Sequence, residues 1–355
     1  MTTERFANDY HYNMTTPRLF IIGNGFDIHH KLKTRYISFR EWLVKQIGVD
    51  LDDLECELSE FIMENQGEDI PLDLDAVIRF LAYVLSNNPI LNQDNWSNFE
   101  ESLGEVDLES VFRQYSHLIK LASTDESGNI NYSWEADVAN DYANTIRKNM
   151  SMLGKVFDAW ISGVKICRLS YKSDVAKLLK KGDLFLSFNY TETLEKVYGI
   201  RGERICHIHG LRQRDELVIG HGGTNTTREF GIPGVGEHIN EAIQALKKDT
   251  DSCIKKNEGF FNQINELRVK DVVSFGFSYG KNDLPYIGCI CKHMDNNDSS
   301  VWYLNNHDLS KIEEWQSRIY HCGFRGIVKP FSNYRDIHGK HRVKESQMRR
   351  HIWKT

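Results

Sequence analysis

The chain of 355 residues has no apolar run approaching the ~20 residues that a membrane span requires. Its first 17 residues, MTTERFANDYHYNMTTP, contain no apolar segment of the kind that directs export. Proline and glycine are too sparse for a low-complexity chain. The seven cysteines (Cys56, Cys167, Cys206, Cys253, Cys289, Cys291, Cys322) are odd in number and scattered, which argues against a disulfide framework. Reduced thiols, a cytoplasmic location and no membrane contact are therefore expected. Basic residues are nearly missing between Asp50 and Glu109, where seventeen Asp or Glu face Arg79 alone. Such a surface repels a phosphate backbone, so nucleic acid is not the expected partner. The C-terminal run GKHRVKESQMRRHIWKT leans the other way, and reads as a solvated basic tail or a nucleic-acid contact.

What is present is the pattern of a folded α/β protein. The segment RLFIIGNGFDIHHKLKTRYISFREWL holds a compact apolar run ending at Gly23, the mark of a buried parallel strand. Apolar residues at 28, 32, 36, 39 and 43 then predict one amphipathic helix. From about 50 to 165 helical patterns dominate, beginning with LDDLECELSEFIMEN. Strands return as DLFLSFNY, RICHIHG, ELVIGHGG, DVVSFGFSYG, SVWYLNNHD and RGIVKP, alternating with helices. The predicted fold is a Rossmann-like, mostly parallel sheet with helices on both faces and a large all-helical insertion. Its parts are an N-terminal arm (1–17), the core (18–48 and 166–334), the insertion (49–165) and the basic tail (335–355).

Open parallel sheets bind ligands beyond the carboxyl ends of their strands. Those ends carry Gly23-Asn24-Gly25-Phe26-Asp27, Asn189, His209-Gly210, Gly220-His221-Gly222, Gly276-Phe277-Ser278 and Asn305. Gly23 and Gly25 allow a sharp turn whose bare N–H groups, with the helix beyond, suit a diphosphate. The same turn is also compatible with an ordinary strand–helix connection that Asp27 caps. Asn189 is either a turn-former or an amide that holds a ribose hydroxyl or a water. His209 is either a packed core group or a proton acceptor near neutral pH.

Two other chemistries fit parts of the pattern. His207 and His209, two apart on a strand, share a face, and His221, Cys289, Cys291 and His293 add further metal donors. No C-x-x-C pair or H-E-x-x-H helix accompanies them, so no metal is expected. GFSYG at 276–280 fits a nucleophile-elbow string, but no acid follows it convincingly.

The strings LFIIGNGFD, NWSNFEESLG, SFNYTETLEKVYG, HIHG, IGHG and FGFSYGKND resemble, in order, the AbiH family of bacterial abortive-infection proteins. GNG, FNYTETLEKVYG, HIHG and GFS further resemble the motif series of sirtuins. That second resemblance implies an NAD site. Gly23, Asn24, Gly25 and Phe26 would line the diphosphate, Asn189 would meet the nicotinamide ribose, and His209 would be the catalytic histidine. Gly276 and Ser278 would take the places of the later Gly and Ser, Asn305 would sit near the adenosine ribose, and His221, at another strand end, is a further candidate contact. The sirtuin Asp after the Asn is missing, with Thr191 and Glu192 nearby, and so are the paired zinc cysteines. Nicotinamide recognition is therefore expected to differ, and deacylation is not expected.

What remains is hydrolysis of NAD to nicotinamide and ADP-ribose, with Asn189, His209 and Asp27 as catalytic residues and NAD as substrate. The resemblance implies an antiphage effector that is silent until a phage-derived trigger appears. A homo-oligomer or a defence-system protein partner is expected to contact the insertion or the tail. The competing readings are a module that senses NAD without turnover and a metal-dependent nuclease.

Overall fold

A computed structural model describes residues 16–48, 73–91, 96–223, 232–305, 309–332 and 334–338. The N-terminal arm but for its last two residues, the helix expected at LDDLECELSEFIMEN and most of the basic tail lie outside the described residues.

Six strands form one sheet: β1 (Leu19–Ile22), β2 (Leu184–Ser187), β3 (Ile205–His207), β4 (Val272–Phe275), β5 (Val301–Asn305) and β6 (Ile327–Phe331). Their order is β3-β2-β1-β4-β5-β6 and every pairing is parallel. The central strands β1, β2 and β4 read LFII, LFLS and VVSF and are buried along their whole length, as strands covered on both faces must be. Successive side chains leave opposite faces. Leu19, Ile21, Leu184 and Leu186 join a core with Tyr286 and Trp302, while Phe20, Ile22, Phe185 and Val273 join one with Phe26 and Leu194. From β1 the chain builds β2 and β3 to one side and β4 to β6 to the other. The β1/β4 boundary is thus the point where strand order reverses and a crevice opens beyond the carboxyl ends.

Two expectations are corrected. The helix predicted after β1 is two helices, α1 (Asn24–His29) and α2 (Tyr36–Ile47). Between them Lys31 adopts a left-handed conformation at φ 62. The Thr34 carbonyl there accepts from Asn24 Nδ2 at 2.9 Å and from Trp96 Nε1 at 2.7 Å. Those tertiary bonds hold a loop against an apolar spacing that runs on through it. The strand expected at ELVIGHGG is also absent. Its backbone is tied to the turn after the Val235–Ala245 helix, with His221 N–H donating to Leu246 O and Lys248 N–H to His221 O.

The described residues between α2 and β2 are mainly helical, and their apolar faces make a separate core around Phe80, Leu81, Tyr142 and Phe157. That core is not confined to 49–165. It takes in Tyr36, Phe39 and Leu43 of α2, and the Val235–Ala245 helix packs along the Tyr132–Ser151 helix. The helical core therefore draws on segments both before and after 49–165.

Candidate active site

At the strand-order reversal the Gly23-Asn24-Gly25 turn packs directly on the exit of β4. Gly23 N–H donates to Phe275 O at 3.0 Å and Gly25 N–H to Gly276 O at 2.9 Å. These donors are engaged, which corrects the expectation of bare N–H groups. The glycines are needed for another reason: a Cβ on Gly25 would lie 2.6 Å from Gly276 Cα, and Gly276 itself has φ 64.

Above this seam lies a cavity of about 200 Å³. Gly23, Asn24, Gly25, Gly276 and Ser278 line it together with Asp27, Asn189 and His209. A second cavity of about 370 Å³ adjoins it, shares Gly25, Ile28, Arg35, Gly276 and Ser278, and reaches Asn305.

Asp27, in the first turn of α1, is 1% exposed. Thr191 Oγ1 donates to its Oδ2 at 2.6 Å and Thr193 Oγ1 to its Oδ1 at 2.7 Å. Burial raises the carboxyl's pKa, and the two hydroxyls, Arg212 and the nearby Asn189 amide oppose that rise.

Asn189 lies two residues beyond β2 and is 6% exposed. Its main chain is well held: the N–H donates to Ser187 Oγ at 3.2 Å, and the carbonyl accepts from His207 Nδ1 at 3.0 Å. Its side-chain Nδ2 is buried and has no partner in hydrogen-bond geometry, although it is near enough to Asp27 to lower that carboxyl's pKa. A buried amide donor left unpaired is costly unless something outside the chain completes it.

His209 follows β3 by two residues and is 3% exposed. Since β3 ends at His207, the two histidines do not share a strand face as expected. His207 Nε2 pairs instead with Glu195 Oε1 at 2.9 Å. Burial alone would lower the His207 pKa, but Glu195 outweighs it and the pKa rises. His209 Nε2 lies 3.3 Å from Tyr286 Oη and 3.9 Å from Asp283 Oδ1. Burial, and then the Lys248 charge, drive its pKa well below the usual histidine value, so the imidazole is neutral.

Two predicted contacts fall elsewhere. Phe26 is buried in the core beneath the turn, edge-on to Phe275, and lines neither cavity. His221 also lines neither; its Nε2 donates to Ile243 O at 3.0 Å and its Nδ1 accepts from Gly223 N–H at 3.1 Å. It braces a loop. Asn24 lines the first cavity, yet its amide is given to Thr34, so it supports the wall. Among the described residues no three of His, Cys, Asp and Glu gather as a metal cage.

The sequence reading missed part of the cavity's wall. Lys248 Nζ, wholly buried, lies 2.9 Å from Glu100 Oε1 and 3.4 Å from Asp283 Oδ1. Both carboxylates line the cavity, and Trp96, Phe157 and Trp160 from the helical body line it too. Trp96 and Glu100 stand in NWSNFEESLG and Asp283 ends FGFSYGKND, so the strings were visible but their chemistry was not. The triad joins residues 148 and 35 positions apart, which no local spacing reveals.

A family model described as bacteriophage abortive infection AbiH matches residues 19–305, a span holding every residue of the first cavity. No curated protein and no solved structure matches the chain.

Proposed function

This chain belongs to the AbiH family of bacteriophage abortive-infection proteins, and from that premise we propose that it is an NAD+ glycohydrolase on a Rossmann-like, sirtuin-related core. The reaction breaks the bond between the nicotinamide nitrogen and ribose C1′. The bonding pair goes to the pyridinium, which leaves as neutral nicotinamide, and a water oxygen bonds to C1′. The products are nicotinamide and ADP-ribose. The helical segments between α2 and β2 belong to the large insertion of that reading, and activity waits on a phage-derived trigger.

The observation that carries the reading is the unpaired, buried Nδ2 of Asn189 in a cavity shared with Asp27 and His209. A ribose hydroxyl or the attacking water completes that amide. The departing pyridinium leaves positive charge on the ribose, and the Asp27 carboxylate, held by two hydroxyls, is oriented to oppose it. His209, neutral because it is buried, accepts the water's proton as the new C–O bond forms. Because leaving-group departure dominates the barrier, a weak base suffices there. The diphosphate lies over the glycine seam. With the Gly23 and Gly25 N–H groups engaged, the exposed Arg35, which borders both cavities, supplies the positive charge.

The test is nicotinamide release, followed by chromatography, from NAD with purified protein alone and with infected-cell extract. Wild type should release nicotinamide, and Asn189→Ala and His209→Ala should not. Undiminished turnover in either variant removes that residue from the mechanism. Tight NAD binding with no release under any condition makes the chain a sensing module. A magnesium-dependent nuclease activity indifferent to Asn189→Ala makes it a nuclease.

A further inference from the structure

The hydroxyls of Thr191 and Thr193 already donate to Asp27, so neither is a free donor for a carboxamide in the cavity. The cavity wall offers different chemistry. Trp96, Phe157, Trp160 and Tyr190 form a contiguous aromatic group, with Trp96–Trp160 ring centroids 5.8 Å apart and Phe157–Tyr190 4.8 Å apart. All four line the first cavity, and so do Glu100 and Asp283. The polar ends of two of these rings are fixed: Trp96 Nε1 donates to Thr34 O and Tyr190 Oη to Val218 O. That leaves ring surface, not hydrogen-bonding atoms, as what they present.

The charge balance beside these rings is unequal. Two carboxylates share one buried ammonium, Lys248, and the adjacent His209 is neutral. Burial pushes the Glu100 carboxyl up to about 7, so above that pH the cluster carries a net negative charge inside a mostly apolar wall. Uncompensated charge of this kind favours a cation, and aromatic walls favour one that is flat and weakly hydrated. A second, independent feature of the same cavity points to a ligand: the unpaired Asn189 Nδ2, 6% exposed, is an amide donor for a carbonyl or hydroxyl.

We propose that Trp96, Phe157, Trp160 and Tyr190, with the Glu100–Lys248–Asp283 cluster, form a subsite for a planar heteroaromatic cation. This deepens the glycohydrolase reading, on which it rests: the cation is the oxidised nicotinamide ring, and the subsite favours NAD+ over its reduced, uncharged form. It also gives the helical body a direct part in the site. Losing the positive charge on bond cleavage removes the ring's main attraction to this wall, so the neutral product leaves readily.

Small probes test the subsite without turnover. Calorimetric titration compares 1-methylnicotinamide, the cation alone, with neutral nicotinamide. The titrations run well above pH 7, because burial pushes the Glu100 carboxyl up to about 7 and it must be ionised. Wild type should bind the cation about tenfold more tightly than the neutral amide, the scale of a partly desolvated cation–aromatic contact. Glu100→Gln should reduce that preference severalfold, and Trp160→Leu should weaken cation binding without requiring any change in the charge cluster. Equal affinity of wild type for the two probes, or no binding of either, overturns the subsite whatever the variants do. Cation preference in a protein that never releases nicotinamide from NAD would keep the subsite and defeat the hydrolase reading. Hydrolysis without cation preference would do the reverse.

Discussion

Asn189 and His209 show how residue types can be legible while their states are not. The sequence places a polar group just past each of two apolar strands, and the structure brings both to one cavity. The unpaired amide and the neutral ring arise from neighbours distant in sequence, so no reading of spacing reveals them. An unpaired buried donor costs about 1–3 kcal/mol in the empty protein. Replacing Asn189 with Ala should therefore leave the melting temperature equal or higher while cutting nicotinamide release about 100-fold, the scale of losing one positioned donor. A fall in both together would make the side chain structural. His209 makes a prediction in pH. Its folded pKa is lowered from an unfolded value of about 6.5, so acid protonates the unfolded chain first. The stabilising contribution of the neutral ring is complete above that value and declines below it, by up to about 1.4 kcal/mol per pH unit until the folded pKa is reached. Urea unfolding at neutral and mildly acid pH should show His209→Gln losing less stability on acidification than wild type. Equal losses would place the acid sensitivity elsewhere.

Among the elements, strands buried on both faces were the most legible, because LFII, LFLS and VVSF have little alternative to a central sheet. The ELVIGHGG segment and the helix after β1 were misread because long-range backbone and side-chain hydrogen bonds, not local pattern, decide their paths. Arg212 shows how the elements are held around the site. It is 4% exposed, with Nε donating to Glu192 Oε2 at 2.8 Å and Nη1 to the carbonyls of Ile161 and Val164, both at 2.6 Å. One guanidinium thus ties the end of the Leu153–Ser162 helix, which carries Trp160, to the loop beyond β3. Replacing Arg212 with Ala leaves two carbonyls and one oxygen of Glu192, whose other oxygen keeps Lys196 at 3.1 Å, without that donor and should destabilise the fold by about 1–3 kcal/mol. Denaturant midpoints would measure it, and a change under 1 kcal/mol would mean that water replaces the guanidinium. Ala at Gly276 is a sharper probe of the seam. With φ 64 and the turn's backbone against it, the variant should lose both stability and NAD binding, whereas Ala at Gly199, also at positive φ but with open space around it, should cost only about 1 kcal/mol.

At the scale of the whole molecule, two adjoining cavities meet over the glycine seam, and a dinucleotide is a molecule of two halves. The first cavity holds Asp27, Asn189 and His209; the second runs past Ser278 to Asn305, Lys311 and Arg318. Their shared border at Gly25, Gly276 and Arg35 is where a diphosphate bridging the halves would cross. This division makes the halves separable as ligands. ADP should bind in the second cavity with an affinity that saturating 1-methylnicotinamide leaves within about twofold, since neither probe needs the other's space and distant sites add nearly independently. Arg35→Ala should weaken ADP by about tenfold through loss of a charge-assisted contact to the diphosphate, and leave the nicotinamide cation unaffected. Calorimetric titrations of each probe into protein saturated with the other decide the matter. Mutual exclusion would mean that both compete for a single cavity, and an Arg35→Ala protein that binds ADP as well as wild type would place the diphosphate away from the seam.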